Sequence, residues 1–223
     1  MVSPLAEKII AEHLLNVNAI QFLFDAPLRL KSGLITPIYV DNRALIYRPE
    51  AWHDVIETLA STIHKHTLQF DVIAGVETAG IPHCSALAYR LSLPSIFVRK
   101  QPKTHGDKSR VEGGDVSGKR VLLIEDHIST GQSSLDAVAA LRDVGAEVTD
   151  CLSITSFDIE DTRRVFKEAG VNFYALLPFS TILETAVEEQ RITEKQKQTI
   201  EQWLTDPWPW AAQHGYLPEA KEN

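Results

Sequence analysis

The chain has 223 residues and carries 22 lysines and arginines against 30 aspartates and glutamates, a formal charge of −8. That acidity argues against non-specific nucleic-acid binding, which runs on lysine and arginine neutralising phosphates. With 44% hydrophobic and 23% charged residues, the composition is that of a globular protein able to bury a core, which argues against global disorder.

Residues 4–20 place Leu5, Ile9, Ile10 and Leu14 at helical spacing, with Ser3 as N-cap and Pro4 in the first turn. Glu7, Lys8 and Glu12 interrupt any signal-peptide core, and no apolar run reaches the roughly 18–20 residues that span a bilayer. The expected location is the cytoplasm. Cys84 and Cys151 lie far apart without CxxC or Cys/His spacing and are expected as packed, reduced thiols. After a turn-rich stretch, residues 36–41 read as a strand. From residue 49 the pattern alternates: helix over 51–66, strand over 71–76, helix over 80–91, strand over 94–100, strand over 120–126, helix over 133–145. A strand over 146–156, a helix over 158–170, a strand over 171–177 and a last helix near 193–204 complete it. Alternating strands and helices predict an α/β fold with a mostly parallel sheet covered on both faces. Ligands in such folds bind beyond the carboxyl ends of the strands, here the loops after 76, 100, 126 and 156.

Of these, residues 121–134 (VLLIEDHISTGQSS) are the most specific. An apolar strand delivers Glu125 and Asp126, and the short loop Ser129-Thr130-Gly131-Gln132-Ser133 then enters a helix. Loop N–H groups and the positive helix end form an anion cradle, and Gly131 admits a phosphate close to the backbone. The carboxylates suit hydroxyl groups or a hydrated cation. A phosphorylated sugar satisfies both halves. It is not a P-loop, since no GxxxxGK[ST] is present. The other dense feature is residues 99–116, expected as a long structureless loop. Arg99, Lys100, Lys103, Lys108 and Arg110 stand there against one nearby acid, Asp107, the makings of a lid over a highly charged anion.

The segment Glu125 to Ser133 resembles the phosphoribosyl diphosphate motif of type I phosphoribosyltransferases. The spacing Arg-Lys-x-x-Lys-x-His-Gly from Arg99 looks like the catalytic loop of orotate phosphoribosyltransferases, and LKSGLITPIYVDNR (30–43) resembles their orotate segment. Thr78, Ala79 and Gly80 resemble the loop that receives the diphosphate. The four motifs occur in the family's order. The resemblance implies a type I phosphoribosyltransferase fold, with a hood over residues 1–45, a core over 46–190 and a C-terminal helix and Trp-rich tail over 191–223. It implies orotate phosphoribosyltransferase activity in pyrimidine synthesis, Mg²⁺ dependence, and a homodimer in which loop 99–116 reaches the neighbouring active site.

Carried over residue by residue, Thr78, Ala79, Arg99, Lys100, Lys103 and His105 would bind phosphoribosyl diphosphate. So would the run Glu125, Asp126, His127, Ile128, Ser129, Thr130, Gly131, Gln132 and Ser133. Lys31, Tyr39, Val40 and Ser129 would bind orotate. Lys103, Glu125 and Asp126 would be catalytic, and Mg²⁺ would be held through diphosphate, ribose hydroxyls and water near the two acids. Two departures remove positive charge: Ala79 stands where some members carry lysine, and Asp158-Ile159 where some carry Asp-Arg. Glu77 could join the magnesium shell or repel the ligand. The alternatives are a type I phosphoribosyltransferase for another base, and a non-catalytic phosphoribosyl diphosphate-sensing regulator. The remaining histidines and Trp203, Trp208 and Trp210 are expected in packing or on the surface.

Overall fold

A computed structural model describes residues 4–30, 32–102 and 109–216. The N-terminal helix α1 (Pro4–Asn16) leads into β1 (Ile20–Phe22), β2 (Leu28–Arg29), β3 (Ile35–Thr36) and β4 (Ile38–Val40), then a 3₁₀ turn over Asn42–Tyr47. The single strand expected over 36–41 is in fact two. β2 pairs antiparallel with β3, and β1 with β4. The break is local chemistry: Pro37 has no N–H to donate, and the Thr36 hydroxyl accepts from Ile38 N at 3.1 Å and donates to Ile38 O at 2.9 Å.

The sheet elements follow: α2 (Pro49–Lys65), β5 (Val72–Val76), α3 (Gly80–Leu91), β6 (Ser95–Val98), β7 (Val111–Glu112), β8 (Arg120–Ile128), α4 (Gln132–Asp143), β9 (Glu147–Ser156), α5 (Glu160–Glu168) and β10 (Asn172–Ala175). They form a six-stranded sheet in the order β10-β9-β8-β5-β6-β7, parallel throughout except for β7. Every residue of β5 is buried, as a parallel strand covered on both faces requires. One face packs Leu123, Val138 and Phe166 under α4 and α5. The other packs Leu59, Leu122 and Ile154 with α1, α2 and α3, together with α6 (Phe179–Glu188) and α7 (Glu194–Thr205).

Two sequence expectations change here. Residues 111–112 are strand, not loop: β7 returns antiparallel along β6, with Arg99 N donating to Arg110 O at 2.8 Å. The C-terminal region is two helices, because Pro207 starts a new one, α8 (Pro207–Gln213). α7 begins with a reciprocal cap between Thr193 and Gln196. The tail packs back on the N-terminal strands: Trp203 Nε1 donates to Ile35 O at 2.8 Å, and the Tyr216 hydroxyl to Phe24 O at 2.9 Å. Cys84 and Cys151 are both free and buried, as expected. Among the described residues no helix is long and apolar enough to cross a membrane.

Candidate active site

β8 runs two residues past its expected end, pairing through Ile128 with Ser156. Glu125 and Asp126 therefore lie inside a strand, and adjacent strand residues point to opposite faces. Glu125 turns under α4. It is 5% exposed, and its Oε1 accepts from Ser133 Oγ at 3.3 Å and Ser134 Oγ at 3.2 Å. Burial, then the charge of Asp126, pushes its pKa up to about 8. Asp126 faces the hood and remains half-buried. Burial pushes it up to about 6, opposed by backbone amides and by the charge of Arg43. The pair that reads as one acidic unit thus splits into a mostly protonated anchor and an ionised group at neutral pH.

The loop beyond β8 rests on α5. Gly131, the N-cap of α4, has φ +81°, and a Cβ there would sit 2.7 Å from the Phe166 ring. Thr162 Oγ1 donates to Ser129 O at 2.5 Å. With the carbonyl of Ser129 tied down, the loop N–H groups and the first turn of α4 are left to face an anion. His127 Nδ1 lies 3.0 Å from Thr155 Oγ1. Burial depresses the His127 pKa to about 3, so the ring is neutral.

Across a cavity of about 800 Å³, Thr78 and Ala79 follow a cis Glu77–Thr78 peptide. Gly80 lets α3 approach β8, where a Cβ would stand 2.6 Å from the carbonyl oxygen of Ile124. Glu77 does not stand free: its Oε2 accepts from Lys100 N at 2.8 Å, bracing the end of β6. Arg99 pairs with Glu112 at 3.0 Å. Arg110, which sequence reasoning counted only as charge, donates to Arg99 O at 2.7 Å and lines the same cavity. Lys103 and His105 fall among residues 103–108, outside the described residues, as does Lys31.

The structure brings Glu125, Asp126 and the whole of 127–133 into one cavity with Thr78, Ala79, Arg99 and Lys100. From the hood, Leu30 and Ser32 line it, whereas Tyr39 and Val40 sit in β4 against β1. Ile159 is buried and Asp158 pairs with Arg163 beside a second cavity of about 600 Å³. Ile159, at the family position for an arginine, does not itself line the cleft, although Asp161 and Arg164 two and five residues on do. Among the described residues no cluster of three histidines, cysteines or acids could hold a metal alone. The donor set, the half-buried carboxylate of Asp126 beside an anion loop, suits an ion that keeps waters and shares oxygens with a diphosphate, as Mg²⁺ does.

A model of the phosphoribosyl transferase domain matches residues 44–165. The chain is 44% identical over 201 residues to the orotate phosphoribosyltransferase of Coxiella burnetii, covering 90% of this chain and 96% of that protein. It is 36% identical over 205 residues to that of Bacillus subtilis, covering 92% and 95%. Among solved structures, the orotate phosphoribosyltransferase of Aeropyrum pernix superposes with a TM-score of 0.69 at 28% identity, over 78% of this chain and 96% of that one. The UMP synthase of Leishmania donovani gives 0.77 at 27% identity, over 89% of this chain and 42% of that one.

Proposed function

The chain belongs to the orotate phosphoribosyltransferase family, and on that premise we propose how its residues share the reaction. The enzyme transfers the 5-phosphoribosyl group from phosphoribosyl diphosphate to orotate, giving orotidine 5-monophosphate and diphosphate in pyrimidine biosynthesis. The observation that carries the assignment of roles is the single cavity walled by the acid-bearing strand, the anion loop and the cationic end of β6.

In this reading the N–H groups of residues 129–133 and the first turn of α4 hold the 5-phosphate. Asp126 accepts from the ribose hydroxyls, and its charge stabilises the positive charge that develops on the ribosyl carbon as the bond to diphosphate lengthens. Glu125 acts from below: by accepting from Ser133 and Ser134 it holds the first turn of α4 in place. Arg99, Lys100 and Arg110 face the leaving diphosphate. The family likeness adds Lys103 and His105 to that end, Lys103 assisting departure, and Lys31 to the orotate end. Magnesium, when bound near Asp126, would neutralise the diphosphate.

The same likeness implies a homodimer in which loop 99–116, while its Arg99, Lys100 and Arg110 line this chain's own cavity, also reaches the neighbouring active site. Tyr47 and Tyr89, 82% and 90% exposed, are large groups that a subunit contact would cover. Steady-state assays with phosphoribosyl diphosphate and orotate, uracil, adenine or hypoxanthine test the acceptor. Orotidine 5-monophosphate is the expected product; turnover of a purine with none of orotate overturns the reading. Replacing Lys103 with alanine is expected to depress kcat far more than substrate binding.

A further inference from the structure

The phosphoribosyl transferase domain match ends at residue 165, yet one wall of the cleft comes from beyond it. Trp208, at the start of α8, lines the same cavity as Leu30, Ser32 and Ser129. It is 51% exposed, while Trp203 and Trp210 on either side of it are buried in the core. An indole left half open inside a polar cleft is a flat apolar face without a partner in the described fold.

Its position is set from two directions. α8 is held against the N-terminal strands through its contact with β3, and the preceding α7 through the Trp203 bond to Ile35 O. Trp208 therefore enters the cavity from the side of the hood. The ring is then oriented from the sheet side: Trp208 Nε1 donates to Asp161 Oδ2 at 2.9 Å, and Asp161 Oδ1 accepts from Arg164 Nη2 at 3.2 Å. The Trp208 N–H and the Arg164 guanidinium hold Asp161 below the usual carboxylate range, so the acceptor stays charged across neutral pH. Asp161 and Arg164 both line the cavity, so the bracket lies in its wall.

We propose that Trp208 is a further acceptor-binding residue that offers its ring face to the planar base of the acceptor, with Asp161 as the positioning residue that sets the angle of the indole. This rests on the orotate phosphoribosyltransferase reading and adds the C-terminal helix to the acceptor site. Stacking a base on an aromatic ring is sequence-tolerant and depends on the ring face, not on a charge.

The test is steady-state kinetics of the full chain with wild type, Trp208→Ala, Trp208→Phe and Asp161→Ala, each substrate varied at saturating concentrations of the other. Trp208→Ala is expected to raise KM for orotate roughly tenfold or more, while KM for phosphoribosyl diphosphate changes by less than about twofold. Trp208→Phe retains a face and is expected to stay near wild type, with Asp161→Ala between the two. The exposure of Trp208 means that its truncation leaves the core filled, which thermal melting of each variant checks. An unchanged orotate KM in Trp208→Ala, or an equal rise in both KM values, overturns the proposal. So does a Trp208→Phe enzyme as impaired as Trp208→Ala. A wild-type enzyme that ignores orotate while ribosylating another base sinks the underlying reading instead, and the acceptor assignment with it.

Discussion

Asn42 donates from Nδ2 to the main-chain carbonyl oxygen of Asp126 at 2.6 Å. The same nitrogen donates to Thr155 Oγ1 at 2.8 Å, and Asn42 is fully buried. The 3₁₀ turn of the hood thus holds the backbone that aims the ionised acid of the cleft and ties it to β9. Asn42→Ala leaves two buried acceptors without this donor, at a cost of roughly 1–3 kcal/mol. We expect a lower Tm and a drop in kcat on the order of tenfold, since misplacing Asp126 weakens a charge that acts in the transition state. Melting and initial rates measured on one preparation decide it: wild-type kcat in a destabilised variant means that Asn42 only stabilises the fold.

Glu125 gives a pH dependence of stability. Its pKa is about 8 in the folded chain against 4.5 for the free side chain, so the unfolded state releases the proton first as pH rises. The stability linked to this group is fully present below 4.5 and is lost as pH rises towards 8. Glu125→Gln resembles the protonated acid. Its Tm is expected close to wild type at about pH 5 and above wild type at about pH 9, in magnesium-free buffer. A Tm difference that stays constant between the two values rules out a proton held by burial.

At Gly131, φ of +81° and the Phe166 ring, 2.7 Å from an added Cβ, act together. The left-handed backbone alone costs an L-residue roughly 1–2 kcal/mol, and the loop is pinned to α5 through Ser129. Gly131→Ala is expected to weaken phosphoribosyl diphosphate binding by roughly tenfold or more. Calorimetric titration with that ligand measures it, and wild-type affinity would show that the loop does not need a glycine.

Glu77 could be read from sequence as repelling the diphosphate; its bond to Lys100 N makes it a brace. Glu77→Ala is expected to raise KM for phosphoribosyl diphosphate by roughly fivefold, and Glu77→Gln, which keeps an acceptor oxygen, by less. A lower KM in Glu77→Ala would falsify the brace and restore the repulsion.

The alternation of strands and helices from α2 to β10 was legible because parallel strands are continuous apolar runs and amphipathic helices repeat near 3.6 residues; α6 was not read from the sequence. α3 was expected over 80–91 and occupies Gly80–Leu91. The anion loop was legible for the same reason: its chemistry is contiguous, from Glu125 to Ser133. What escaped was carried by contacts remote in sequence. Asn42 meets Asp126 across 84 residues, Trp208 meets Asp161 across 47, and neither pair has a local spacing to detect. β7 was missed because two residues are too few to set a period, and its pairing depends on β6.

By itself the sequence determined the α/β class, the cradle for a phosphorylated sugar and the family. Those rest on neighbours in the chain, where residue type and spacing are enough. Only the tertiary structure decided what each acid does. Strand alternation put Glu125 beneath α4 and Asp126 towards the hood; burial and the neighbouring charge push Glu125 up to about 8, while backbone amides and Arg43 hold the rise of Asp126 to about 6. It also decided that Leu30 and Ser32 of the hood meet Trp208 of α8 at one cleft, because α8 packs against β3 as well as α7. The net charge of −8 contained none of this. Function depends on where the charges face, and packing sets that.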